Sequence, residues 1–194
     1  MGNVFTVSGL PGSGKSTVAH MLCKRFNLGY FSPGEYFRNI AEGKCIGIRE
    51  YWATTTDADN VLVDKEQLAK ARKGAKAPKG GVVLDGRYSG ILCYQNGVEA
   101  FKIYLCADLE ARAERVHKRE PKKRVEEIME EISLRQEREI DRGKKLYHAD
   151  FTCPSFYDMC IDTTEMTPDQ VVMLVTRSNN VAHGIRQLPE ELMI

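Results

Sequence analysis

No apolar run in this chain is long enough to span a membrane, so nothing supports a transmembrane role. None of the six cysteines (Cys23, Cys45, Cys93, Cys106, Cys153, Cys160) forms a C-x-x-C pair, which removes zinc-ribbon and dithiol redox readings. Free, buried thiols in a reducing, cytoplasmic setting are expected instead. There is no N-x-[ST] acceptor, no internal repeat and no N/T-K-x-D guanine-reading motif, the last arguing against a GTPase switch. The four histidines, His20, His117, His148 and His183, are scattered without metal-ligand spacing or a nucleophile beside them. Charge of one sign is also lacking: 28 basic and 27 acidic residues leave a formal net charge of +1, which does not suit a general nucleic-acid binder. The first strand follows Met1 directly, leaving no room for a signal peptide. Met1-Gly2-Asn3-Val4-Phe5-Thr6 fits an N-acylation pattern, but the same residues are needed as a core strand. With 194 residues, the chain fits one α/β domain with small inserted lobes.

Gly9-Leu10-Pro11-Gly12-Ser13-Gly14-Lys15-Ser16, followed by Thr17, fits G-x-x-x-x-G-K-[ST], a loop that cradles nucleotide phosphates. The β-prone Val4-Phe5-Thr6-Val7-Ser8 precedes it. A helical pattern with Val18, Met21, Leu22 and Phe26 on one face follows, so the motif lies between strand and helix as it requires. Glycines at 9, 12 and 14 let backbone N–H groups close on phosphate, and the helix N-terminus adds partial positive charge. Lys15 supplies a point charge for the β- and γ-phosphates; the Ser16 hydroxyl suits Mg²⁺.

Further strands are expected at Tyr30-Phe31-Ser32, Gly81–Asp85, Ala100–Leu105 and Tyr157–Asp162. Ser32-Pro33-Gly34-Glu35 reads as a helix start. Asp57 or Asp59 is read as the cap of a helix reaching Gly74, with Lys70–Lys79 as a solvated connection, and residues 44–56 are ambiguous. Asp108 starts another helix, Pro121 interrupts, and a long helix follows from Val125 to about Lys145. Thr167-Pro168-Asp169 opens the last helix; residues 179–194 read as a tail that docks through Leu188, Leu192 and Ile194. Alternating elements imply a three-layer α/β/α core around a mainly parallel five-stranded sheet. Asp85, closing a buried apolar run, is a candidate for holding Mg²⁺ at the sheet's C-terminal edge. Arg112, Arg115 and Arg119 share the spacing i, i+3, i+7, and Arg135, Arg138 and Arg142 repeat it. Two such stripes either close over polyphosphate or are solvated helix faces; Glu131, four residues before Arg135, fits the second reading in part. Arg38 and Arg87 follow the second and third strands, where a second phosphate could lie opposite the first.

Together these segments resemble the nucleoside monophosphate kinases, most closely the archaeal-type cytidylate kinases. Gly9–Thr17, Phe31–Arg38, Val82–Gly90, Asp108–Arg115, Glu131–Arg142 and Tyr157–Pro168 carry the resemblance, which covers roughly residues 3–178. It implies transfer of the ATP γ-phosphoryl group to CMP or dCMP with Mg²⁺. It also implies a monophosphate-binding lobe at about 32–80, a lid at about 115–138 and a tail at 179–194. Arg38 and Arg87 would grip the acceptor phosphate and Ser32 would help seat the acceptor. Arg115 and Arg119 would belong to the lid side, while Arg135, Arg138 and Arg142 would close on the transferring phosphoryl group and the acceptor. A monomer acting on small nucleotides, with no membrane or nucleic-acid partner, is expected. Adenylate or small-metabolite kinases on the same core, and a nucleotide-binding regulatory or RNA-associated module, are the rival readings. Segment 44–56 and the tail depart from the family pattern.

Overall fold

Val4, Phe5 and Val7 are all buried, although they alternate between the two faces of β1 (Asn3–Gly9). A strand apolar on both faces belongs in the middle of a covered parallel sheet. In the computed structural model, which describes residues 3–186, β1 does lie there. The sheet order is β2-β3-β1-β4-β5, every pairing parallel, with β2 (Gly29–Phe31), β3 (Gly81–Asp85), β4 (Phe101–Cys106) and β5 (Met159–Asp162). From β1 the chain goes out to the edge strand β2, returns to β3 beside β1 and then crosses to β4 on the other side of β1, so the order reverses next to the glycine loop, where ligands bind in such sheets.

Two cores flank the sheet. One joins Phe5, Val7, Val83, Ile103 and Leu105 to α1 (Lys15–Phe26) and α8 (Pro168–Arg186). The other joins Val4, Val82 and Leu84 to α4 (Asp57–Ala75), α5 (Ser89–Gln95) and Phe151. A third, smaller cluster of Ala113, Ile128 and Ile132 lies between α6 (Leu109–His117) and α7 (Val125–Tyr147), so this helical pair has its own apolar seam.

Ser32 is the N-cap of α2 (Pro33–Gly43), its Oγ accepting from the Glu35 N–H at 3.4 Å. Residues 48–54 form α3 (Ile48–Thr54). The cap of α4 is Thr56, not Asp57 or Asp59. Thr56 and Asp59 form a reciprocal capping box, with the Thr56 N–H donating to Asp59 at 2.8 Å. That helix continues to Ala75, so most of the expected Lys70–Lys79 connection is helical. α5 has no helical signature in the sequence, because Ser89-Gly90-Ile91-Leu92-Cys93 is buried all round and shows no polar face. Gly90 is required there: a Cβ would stand 2.3 Å from the Tyr157 ring. α8 runs on past residue 178 to Arg186, while Met1, Gly2, Leu188, Leu192 and Ile194 lie outside the described residues. Of the cysteines, Cys93 is buried, whereas Cys45, Cys153 and Cys160 are exposed, the last on an edge strand; buried thiols were expected. No helix among the described residues is long and apolar enough to cross a membrane.

Candidate active site

The loop between β1 and α1 bends through positive φ at Gly12 (83°) and Gly14 (90°), backbone that L side chains rarely adopt. At Gly12 space is also lacking, since a Cβ would come within 2.7 Å of the Arg112 carbonyl. Arg112 is buried, donating from Nε to the Ala107 carbonyl at 3.0 Å and from Nη1 to the Pro11 carbonyl at 3.3 Å. It braces the loop from below. Thr163, after β5, braces the other flank: its hydroxyl lies 3.3 Å from the Ser13 carbonyl and accepts from Arg115 Nη1 at 3.0 Å.

β1 and β3 pair with Val7 opposite Asp85, which sets the Asp85 carboxylate beside the loop. Its Oδ2 accepts from Ser16 Oγ at 2.6 Å and from the Tyr30 hydroxyl at 2.8 Å. Burial, then the Asp85 charge, push the Tyr30 phenol above its ordinary range. The Lys15 ammonium donates to the Leu10 carbonyl of its own loop at 2.7 Å. Burial pulls its pKa down to about 8; Asp85 opposes that and Arg87 adds to it.

A cleft of about 1110 Å³ opens from the loop along the C-terminal edge of the sheet. Gly12, Ser13, Gly14, Lys15, Ser16 and Thr17 of the loop line it together with Ser32, Arg38 and Arg87. Arg115, Arg119, Arg135 and Arg138 line it as well, and Arg87 is close enough to Lys15 to act on its charge. Seven basic side chains face this space against three acidic ones, Asp85, Glu120 and Glu131, although the whole chain is nearly neutral. Such a concentration in a concave site draws polyanions. The guanidinium groups of Arg38, Arg119 and Arg138 have no hydrogen-bond or ion-pair partner among the described residues. Ile48 brings α3 into the lining, giving the ambiguous segment a place at the site.

The structure does not bring every expected arginine there. Arg112 is spent on the loop, and α6 ends at His117, so Arg119 reaches the cleft from the turn beyond rather than from a shared helix face. Arg142 lies on the Arg135 side of α7 but roughly 10 Å further along the axis. It meets α4 instead, with Nη1 donating to Asn60 at 3.3 Å and Nε 3.7 Å from Asp57. Thr163, Tyr30 and Glu139 were not singled out from sequence. Glu139 follows Arg135 by four residues and reads there as an ordinary surface pair; it is buried.

The sequence pattern of the cytidylate kinase-like family matches residues 4–165. The chain belongs to that family. It is 35% identical to the cytidylate kinase of Methanopyrus kandleri over 179 residues, covering 89% of this chain and 90% of that protein. With the cytidylate kinase of Methanocaldococcus jannaschii it shares 31% over 181 residues, covering 89% and 95%. Among solved structures, an uncharacterized protein from Eubacterium ventriosum matches with a TM-score of 0.66 at 16% identity, over 90% of this chain and 96% of that one. A gluconokinase from Sinorhizobium meliloti matches at 0.57 and 17%, over 95% of both chains. A shikimate kinase from Acinetobacter baumannii matches at 0.57 and 13%, over 97% and 96%. At such identities these three show the fold only. As a member of the cytidylate kinase-like family the chain is an ATP-dependent phosphotransferase, and its phosphate loop lines the cleft described above.

Proposed function

We propose that this protein transfers the γ-phosphoryl group of ATP to CMP or dCMP, giving ADP and CDP or dCDP. The observation that carries this reading is one cleft lined both by the phosphate loop and by Arg38 and Arg87. Its volume exceeds what one small ligand needs, and four more guanidinium groups line it.

Loop N–H groups and Lys15 hold the donor's β- and γ-phosphates. Val116, Met166 and Pro168 offer an apolar wall to the donor base. Arg38 and Arg87 hold the acceptor phosphate, and Ser32 keeps its loop in place by capping α2. An oxygen of that phosphate, already ionised, attacks the γ-phosphorus in line, so no general base is needed. The bond to the β-bridging oxygen breaks and its electrons leave with ADP. Arg119 and Arg138 neutralise the charge spread over the transferring group, and Arg135 lies where it meets both that group and the acceptor phosphate. Ser16 and Asp85 fit Mg²⁺, because both present hard oxygen donors 2.6 Å apart. Among the described residues no group of three acidic, histidine or cysteine side chains is assembled, and one or two protein oxygens are what Mg²⁺ commonly takes from a protein. Bound there, it would offset phosphate charge.

In this reading residues 32–80, with α2, α3 and α4, are the acceptor lobe. Residues 115–138 are a lid that closes over the cleft and keeps water from the γ-phosphoryl group. The protein acts as a cytoplasmic monomer on free nucleotides, without a membrane or nucleic-acid partner.

The test is an acceptor panel: ATP and Mg²⁺ with CMP, dCMP, UMP, AMP, shikimate or gluconate, reading ADP formation. CMP or dCMP should give the highest kcat/KM. If no monophosphate stimulates ADP formation the proposal fails, and AMP well above CMP would move the protein to the adenylate type.

A further inference from the structure

Glu139 is, with Asp64, one of two buried carboxylates that the reaction described above leaves unused. It lies on α7, and three contacts converge on this one residue. Its Oε1 accepts from Arg135 Nε at 2.7 Å. Its Oε2 is ion-paired with Arg87 Nε. Its backbone carbonyl accepts from the Tyr88 hydroxyl at 2.6 Å. Arg87 and Tyr88 are adjacent on the segment after β3, so two consecutive residues of the body grip one residue of α7. Arg135 belongs to the other party, the half of α7 that packs on α6 through Ile128 and Ile132.

Burying a carboxylate is costly unless charge partners surround it, and an apolar residue would hold helices together as well or better. Its use here therefore calls for a reason other than stability. Two guanidinium groups lining one cleft with Lys15 repel one another. A shared anion holds both in place before any phosphate arrives. Both arginines present Nε to Glu139 while still lining the cleft.

We propose that Glu139 is a positioning residue, whose carboxylate sets Arg87 and Arg135 so that the acceptor phosphate meets a preassembled guanidinium pair. It touches neither nucleotide and acts through the two arginines. The inference rests on the phosphotransfer reading above and adds to it the group that organises the acceptor end.

The experiment measures kcat and both KM values for wild type, Glu139→Gln, Arg87→Ala and the double variant, with a thermal melt of each. Removing the charge should raise the CMP KM by about tenfold to a hundredfold, the range expected when a binding group is displaced by about an ångström. The ATP KM should change less than about threefold, because the phosphate loop is braced separately by Arg112 and Thr163. In the Arg87→Ala background, Glu139→Gln should add little to the CMP KM, since the group it positions there is gone. An unchanged CMP KM overturns the proposal. So does a rise in both KM values that adds in full in the double variant, which is what a merely structural residue would give. Should Glu139→Gln fail to fold, Glu139→Asp replaces it: the charge stays, the reach shortens, and the same acceptor-specific rise is expected. Wild type inactive on every monophosphate would bring down the phosphotransfer reading itself. Activity in wild type with an unmoved CMP KM in the variant would bring down only the role of Glu139.

Discussion

Ser16 and Asp85, 69 positions apart in sequence, meet at 2.6 Å beside the phosphate loop. Parallel pairing of β1 with β3 brings them together, and the Tyr30 hydroxyl holds the same carboxylate oxygen. Asp85→Asn keeps an acceptor for both hydroxyls and removes only the charge. Folding should be retained, with kcat down by about a hundredfold or more and the Mg²⁺ concentration for half-maximal rate raised. A Mg²⁺ titration of ADP formation checks this. An unchanged titration would detach Asp85 from the metal.

Lys15 carries its charge at a cost in the ligand-free protein. Its folded pKa, about 8, lies below the value of 10.5 it starts from. The unfolded chain therefore holds the proton more tightly, and stability rises with pH between those two values. Below the lower one the penalty is complete, at most about 3 kcal/mol before losses from its hydrogen bond to Leu10. Lys15→Met should raise the ligand-free Tm at pH 7 by about 2–6 °C. It should lose turnover by orders of magnitude and no longer gain Tm on adding ATP. A destabilised variant would show that the hydrogen bond outweighs the burial.

The phosphate loop, the strand before it and the acid closing β3 were legible because each imposes a residue type at a fixed place. Ser32 was legible for the same reason, since a cap followed by proline and an acid has one structural meaning. Helix spacing was less informative. It grouped Arg112 with Arg115, and Arg135 with Arg142, but spacing says which residues share a face and not what the face meets. Arg112 meets a loop from 101 positions away, and Arg142 meets α4 from 82. Glu139 was hidden more fully: its partner four residues earlier explains it locally, and Arg87 reaches it only once the fold has closed. Capping of α4 passed to Thr56 because a threonine with an acid at N3 can satisfy two N–H groups reciprocally.

Asp64, buried on α4, accepts from Gln67 Nε2 at 2.6 Å and from the Tyr147 hydroxyl, linking α4 to the end of α7. Burial raises its pKa to about 6, against these hydrogen bonds, which act to lower it. A raised carboxyl means the folded state holds more protons than the unfolded one between 3.8 and about 6. Stability is therefore lost as pH rises through that window, with the whole penalty, of order 3 kcal/mol, present above it. Asp64→Asn should unfold at higher denaturant than wild type at pH 7.5, with the gap closing toward pH 4. Denaturant melts at three pH values check the trend. A gap that widens on acidification would reverse the assignment.

Arg138 and Arg142 lie on the same helix, and the structure gives them opposite surroundings. Arg138 lines the cleft with no partner among the described residues, while Arg142 is engaged with Asn60 and Asp57 of α4. A guanidinium held free beside a phosphate loop contributes through charge that develops during transfer, so Arg138→Ala should lower kcat by about a hundredfold with Tm unchanged. Arg138→Lys should recover little, because an ammonium cannot reproduce the planar fork. Arg142→Ala removes a half-exposed tie between α7 and α4, so its effect should appear as a loss of about 1 kcal/mol in stability. Its kcat should stay within a few-fold of wild type. Parallel kinetics and melts on the three variants separate the two roles. Equal losses of kcat at 138 and 142 would mean that α7 turns on closure, bringing Arg142 round to the transferring group.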